Sequence, residues 1–274
     1  MRMRFSRYPD PRGGLRDIAP WELNYDPSTT EEPGWHHDRL RARIGEEEPG
    51  PPVPGGAWEI ACRLVHDYEF AEPMIMHAYF HRDAELLGRD MLLEGKFAVL
   101  RFPMGVRVDH VVDETRERAD GTSERTWGWS YRTLEHHLER GRLVYEVVKN
   151  LDSGHVEFVI TGVSSRASIT NPVISLGFGV FGRVTQKRFY RAAAKRLTRL
   201  VAHVQAGHDL PTPDPVGQDD VVRAPSGLRF GWQQQWQERG PAGVALAGST
   251  VLAAGLTVAT LRARQRHRTT RSLL

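Results

Sequence analysis

Apolar and polar positions alternate with period two through the middle of the chain. GVRVDHVVDETRER (105–118) carries Val106 and Val108, then Val111 and Val112, and the turn signal ADGTS (119–123) follows. ERTWGWSYRTLE (124–135) reads as the paired strand. LERGRLVYEVVKNL (138–151) and HVEFVITGVSSRAS (155–168), joined by LDSGH, make a hairpin in which Val156, Phe158 and Ile160 alternate with Glu157, Val159 and Thr161. About four consecutive strands joined by short turns predict an antiparallel meander. Upstream, WEIACRLVH (58–66) alternates and is β-branched enough for a strand, and PMIMHAYF (73–80) suits a less regular one. DAELLGRDMLLEGKFAVLRF (83–102) reads as helix or strand. Asp83 suits a helix cap, whereas Gly88 and Gly95 weaken the helical reading.

The period then changes. Asn171-Pro172 places a cap-like residue and a first-turn proline before a long helix. Phe178, Phe181, Phe189, Leu197, Leu200 and Val204 recur at helical spacing, and Gly207 ends the run. A helix of roughly thirty residues at ~1.5 Å each spans ~45 Å, enough to cross a whole sheet. The predicted class is therefore α+β: an antiparallel meander sheet with a long C-terminal helix packed across it. This helix-grip-like plan leaves a cavity between sheet and helix.

The flanks differ from this core. Residues 1–57 form a Pro- and Gly-rich extension, and EEEPGPPVPGG (46–56) predicts an extended linker. Trp21 and Tyr25 of WELNYDP (21–27) are expected to pack back onto the domain, and DRLRARI (38–44) suits a short helix. The core domain then runs over 58–207, and 208–240, with PTPDPVGQDD, is a second linker. AGVALAGSTVLAAGLTVATL (242–261) has no charge and is long enough for a membrane span. The C-terminal hydrophobic helix is thus placed at 241–261, followed by a basic tail at 262–274. Trp232 and Trp236 would sit near one membrane interface, with Arg262, Arg264 and Arg266 at the other. Ala245, Ser249 and Ala253 make a small-residue ridge suited to helix-mediated homo-oligomers. The positive-inside rule puts the tail in the cytoplasm, and an N-terminus without an apolar h-region keeps the core there too. A helix lying in the interface relieves that tension. The expected placement is membrane-associated, with the core domain cytoplasmic.

Composition changes this picture at two points. The 274 residues carry a net charge of +3, which hints at an anionic partner. Five of the 37 basic residues lie in 262–274 without an acid, so the remaining 32 basic and 34 acidic residues leave the rest at about −2. That balance argues against a nucleic-acid partner for the body. Cys62 is the single cysteine, which excludes an intramolecular disulfide and a paired-cysteine metal site; it reads as a buried inert thiol.

Chemistry concentrates in WGWSYRTLEHHLERG (127–141), where large aromatics meet titratable side chains. On a strand Trp127, Trp129, Tyr131, Glu135 and His137 share one face, with Arg132 at the rim. Together they are the candidate ligand pocket, an apolar body with a few convergent polar groups. His136-His137-x-Glu139 supplies only two metal ligands on one face; a third would have to come from His66 or His110. A solvated turn accounts for the cluster better, so neither metal nor cofactor is expected. Glu135 and His137 are the acid–base groups of an enzymatic alternative. Arg183, Lys187, Arg191, Lys195 and Arg199, with Arg188 and Arg196, form a basic ridge on the long helix. It suits a solvated face or anionic lipid headgroups. Arg166, after Ser164-Ser165, suits a turn or a hold on an anionic ligand. There is no G-x-S-x-G and no P-loop, and no G-x-G-x-x-G opens a helix after a strand; GFGVFGR (177–183) is too apolar and lies inside the helix start, so it is not a phosphate loop.

LGRDMLLEGKF (87–97), GVRV (105–108), VVDETRE (111–117), WGWSYRTLEHHLERG (127–141), YEVVKNLDSGHVEFVI (145–160) and GFGVFGRVTQKRF (177–189) resemble bacterial members of domain of unknown function nineteen-ninety. WELNYDP (21–27) and PGPPVPGGAWEIACRL (49–64) resemble its longer actinobacterial members. The resemblance covers about 20–205. The family pattern has Gly after T-L-E where this chain has His136, a departure that bears on whether the backbone turns tightly there. The resemblance is consistent with a helix-grip fold and brings no established activity, substrate or catalytic residue.

The expected function is a membrane-tethered domain that binds a lipid or other small apolar or amphipathic molecule between sheet and helix. A non-enzymatic scaffold with a solid core is the alternative, and an enzyme using Glu135 and His137 the third reading.

Overall fold

The computed structural model describes residues 10–97, 100–166, 172–218 and 220–228, with backbone only for Phe97, Leu100, Arg166 and 172–185. The period-two segments build one nine-stranded sheet. Its strands are β1 (His36–Glu46), β2 (Met76–His81), β3 (Asp90–Phe97), β4 (Leu100–Glu117), β5 (Ser123–Thr133), β6 (Glu139–Asn150), β7 (His155–Arg166), β8 (Asp214–Pro215) and β9 (Val221–Ala224). They lie in the order β1-β7-β6-β5-β4-β3-β2-β9-β8, and every neighbouring pair is antiparallel. The expected meander is present and runs from β2 to β7. Three helices accompany it: α1 (Pro11–Ile18), α2 (Ala57–His66) and α3 (Pro172–Gln205). Proline opens α3 as expected, and Gly207, at φ +90°, follows its end.

Several segments depart from the expectation. Residues 58–66 are helix α2 and not a strand. Ala57, Ile60, Ala61, Leu64 and Val65 are buried, the i, i+3, i+4, i+7 spacing of a helix face. Residues 38–44 are strand β1 and not a helix, with Arg39, Arg41 and Arg43 alternating against Asp38, Leu40 and Ala42. The N-terminal extension is therefore part of the sheet. So is the described part of the second linker, where β9 pairs with β2 and β8 pairs with β9.

The two faces of the sheet are covered by different elements. On the outer face, Leu15 and Ile18 of α1 pack with Tyr79, Leu92, Leu134 and Val221. On the inner face α2 lies over β5 and β6, and α3 packs against β1 and α2. Register places Trp129 beside Tyr145, Tyr145 beside Ile160, and Ile160 beside Leu40, all on this inner face. Among the described side chains of α3, Phe189, Tyr190, Ala193, Ala194, Leu197, Leu200 and Val201 are the buried apolar ones.

Two buried ion pairs tie the covering elements down. Lys149 on β6 is fully buried and meets Glu47 at 2.7 Å and the Pro51 carbonyl at 2.8 Å. Glu47 also accepts from Trp58 N at 2.7 Å and Val53 N at 3.1 Å. One carboxylate thus neutralises the lysine, pins the proline-rich loop and sits at the N-terminus of α2, where the helix dipole favours an anion. Arg196 of α3 donates through Nε to the Glu69 carbonyl at 2.8 Å, and the Glu69 carboxylate accepts from Ser226 N and Oγ at 2.9 and 2.7 Å. Arg196 is therefore a core residue, removed from the exposed ridge to which the helical spacing assigned it.

Candidate functional site

Strand β5 ends in a strapped hairpin. Thr133 Oγ donates to Asn24 Oδ1 at 2.7 Å and accepts from Gly141 N at 2.9 Å, and Asn24 Nδ2 donates to the Glu139 carbonyl at 2.9 Å. The WELNYDP segment thus crosses the base of the β5–β6 turn. Trp21 meets His136 edge-on at 4.9 Å, and Tyr25 lies tilted against Trp35 at 5.3 Å, so both aromatics pack back as expected. His136 adopts φ +63°. The tight turn is made without the glycine, with a histidine in the left-handed region.

That turn redistributes the expected pocket. Trp129 is 1% exposed, and its Nε1 donates to the Val65 carbonyl at 3.1 Å. Tyr131 is buried on the same inner face. Trp127 shares their parity but is half-buried at the edge of α2, in a crevice of about 350 Å³ with Trp58, Cys62, Arg63, His66 and Asp67. Arg132 is on the outer face, 2.7 Å from Asp109, so it does not rim the inner pocket. Asp109 also meets Ser130 at 2.6 Å and Arg142 at 3.3 Å. Glu135 is exposed in the turn, its backbone N–H donating to the Glu22 carbonyl at 2.9 Å. His137 is buried, and its Nδ1 lies 3.0 Å from the Glu139 backbone N–H. Burial pushes its pKa down to about 4, so the ring is neutral at pH 7. No hydrogen bond joins Glu135 and His137, and the acid–base pair is not formed.

The structure gathers a different polar group at this end of the inner face. Glu139 on β6, Asp38 on β1, Ser164 on β7 and Tyr131 on β5 share its parity. From α3, Gln186 Nε2 lies 3.3 Å from Ser164 Oγ, and the Tyr190 hydroxyl lies over Gly162. A Cβ at 162 would come within 2.3 Å of that hydroxyl, so glycine is what lets the phenol approach the strand. The Tyr190 hydroxyl is buried near Gln186 but lacks a hydrogen bond of good geometry. Burial and then the nearby Asp38 raise the Glu139 carboxyl to about 7. Tyr131 and Tyr190 are both held well above the ordinary phenol range, chiefly by burial. Beneath α2 the face is apolar and filled. Tyr68, Phe70, Trp129, Tyr145 and Phe158 are fully buried, with ring separations of 4.6–6.2 Å among them. The hydroxyls of Tyr68 and Tyr145 approach each other but lack a hydrogen bond of good geometry.

Such an end can hold a polar group of a ligand. A carboxyl that titrates near neutrality and a buried phenol without a hydrogen bond of good geometry are each costly unless a ligand or water satisfies them. Cys62 is buried and its thiol is raised by burial, which fits an inert thiol. Among the described residues no group of three His, Cys, Asp or Glu could hold a metal, and no helix is long and apolar enough to cross a membrane. The expected span 241–261, its Ala245 ridge, Trp232, Trp236, Arg262, Arg264 and Arg266 lie outside the described residues, as does the Arg166 side chain. Within this group the sequence marks Tyr131 as a pocket residue and Glu139 as a metal ligand, whereas Asp38, in a segment with the look of a helix, and Tyr190 carry no signal of their own.

The family model "Domain of unknown function (DUF1990)" matches residues 24–196. No curated protein matches the chain. Among solved structures, the hypothetical protein jhp0584 from Helicobacter pylori is similar at 12% identity and TM-score 0.37, over 65% of this chain and 95% of that one. Ara h 8.0201 is similar at 9% identity and TM-score 0.34, over 62% of this chain and 99% of that one. Human STARD10 is similar at 10% identity and TM-score 0.31, over 80% and 96%. Likenesses this slight carry no argument about chemistry.

Proposed function

The chain belongs to the DUF1990 family, and we propose that its core binds a small apolar or amphipathic molecule between the inner face of the sheet and α3. The ligand's polar group sits at Glu139, Asp38, Tyr131 and Tyr190, and its apolar part lies along the inner face towards the buried aromatics. The observation that carries this reading is the buried Tyr190 hydroxyl, without a hydrogen bond of good geometry, near a carboxyl held near 7. A fold without a ligand there gains nothing from that arrangement, since an unsatisfied buried hydroxyl costs ~1–3 kcal/mol. Native mass spectrometry of the full chain from its own host tests it. The wild type should carry a co-purifying molecule, and Tyr190→Phe and Glu139→Gln should each lose most of it while staying folded. Undiminished retention in both variants would overturn the reading.

The solid-core scaffold keeps one observation in its favour, the close aromatic packing beneath α2. It expects no retained molecule from any variant. Tethering through 241–261, with the core on the cytoplasmic side, rests on the uncharged run of the sequence.

A further inference from the structure

Helix α3 spans 34 residues and contains seven Lys or Arg and no Asp or Glu. The whole chain is only +3, so everything outside this helix is net −4. Five of the seven also share one side. At about 100° per residue, Lys187, Arg188, Arg191, Lys195 and Arg199 fall within an arc of about 120°. The first four are exposed and Arg199 is half-buried. Arg196 falls opposite and is buried on Glu69, as are Phe189, Ala193, Leu197 and Leu200 on that side. Lys187, Arg188 and Arg191 have no ion pair among the described residues. Successive members of the row stand ~6 Å apart along the axis, within one Debye length of ~8–10 Å, so they present one continuous field.

We infer that this face of α3 docks on an anionic lipid surface. The exposed side offers cations without aromatic side chains, which suits a headgroup layer and lacks the stacking platforms that single-stranded nucleic acid favours. Reversible membrane association needs two weak signals, and the chain supplies a second one in sequence, the uncharged run 242–261 followed by five Arg. The inference is independent of what the inner face binds.

The test is co-sedimentation of the full chain with vesicles of phosphatidylcholine alone or with 30% phosphatidylserine (about one anionic lipid in three), against Lys187→Gln/Arg188→Gln/Arg191→Gln. All three side chains are exposed, so the variant keeps its circular dichroism spectrum. Anionic vesicles should bind the wild type far better than neutral ones, and high salt should weaken that binding. The triple variant should bind on the order of a hundredfold more weakly, at about 1 kcal/mol per cation. A charge-retaining Lys187→Arg/Arg191→Lys variant should bind like the wild type. Equal binding of wild type and triple variant would assign the affinity to the C-terminal tail and overturn the inference. So would equal binding to neutral vesicles, or a preference for duplex RNA or DNA over anionic vesicles.

Discussion

Glu139→Gln should alter the pH dependence of stability in a direction opposite to that of most carboxylates. The Glu139 carboxyl is raised in the fold to about 7 from an ordinary value of 4.5, chiefly because burial disfavours the anion. Between these values the folded chain holds a proton that the unfolded chain has released. Stability contributed by the protonated group is therefore fully present below about 4.5 and lost as pH rises to about 7. At 1.36 kcal/mol per pKa unit the loss is about 3 kcal/mol. His137 works against it. Its folded pKa is depressed to about 4 from 6.5, so the fold is most favoured above 6.5 and weakens as pH falls towards 4. The two effects have similar size and opposite slope over nearly the same window, so the wild-type profile understates both. Urea unfolding followed by tryptophan fluorescence at several pH values between 4 and 8 separates them. Glu139→Gln should gain on the wild type as pH rises, by about 3 kcal/mol at pH 8. His137→Asn, which keeps an acceptor near the Glu139 N–H, should gain as pH falls. Parallel profiles for Glu139→Gln and wild type would refute the raised Glu139 carboxyl.

Three further outcomes follow from the packing. Lys149→Met leaves the Glu47 carboxylate buried without its cation and should cost about 3–5 kcal/mol in urea unfolding, while Lys149→Met/Glu47→Gln should recover part of that. Gly162→Ala drives a methyl group into the Tyr190 hydroxyl and Leu143; it should cost about 1–3 kcal/mol, and Tyr190→Phe in the same chain should reduce the penalty. Truncation at Gly240 should move the protein from the membrane fraction to the supernatant in cell fractionation; unchanged partitioning would exclude tethering through 241–261.

The meander was legible because each of its strands has one face on a core and one on solvent or α1, and period two survives such an asymmetry. It failed where two periods coexist. In 57–66 the residues that alternate also recur at helical spacing, and the carboxylate that accepts from the first turn of the helix, Glu47, lies ten residues upstream of it. Strand β1 has the opposite problem. Arg39, Arg41 and Arg43 alternate cleanly, but three cations in a short run resemble a solvated helix until their partners are known. Arg41 meets Glu124 at 2.7 Å and also pairs with Glu157, on two other strands. Strands β8 and β9 are two and four residues long, too short for any period to show.

The site was legible up to Tyr131 and no further. Strand parity correctly put Trp129 and Tyr131 together on the inner face, and the same parity places Arg132 outside, where Asp109 holds it. Beyond Leu134 parity has no meaning, because His136 at φ +63° reverses the chain and resets the face of every residue after it. Glu135 is thereby left in solvent, and Glu139, two residues past His137, becomes the inward carboxyl. The remaining members depend on long-range register. Asp38 reaches the site because β1 pairs Asp38 with Gly162, and Tyr190 reaches it because Gly162 has no side chain. One strand pairing and one missing Cβ thus decide which phenol and which carboxylates meet. That is why a site can be assembled from 38, 139 and 190 while the aromatics that advertise it in sequence serve mainly to pack its floor.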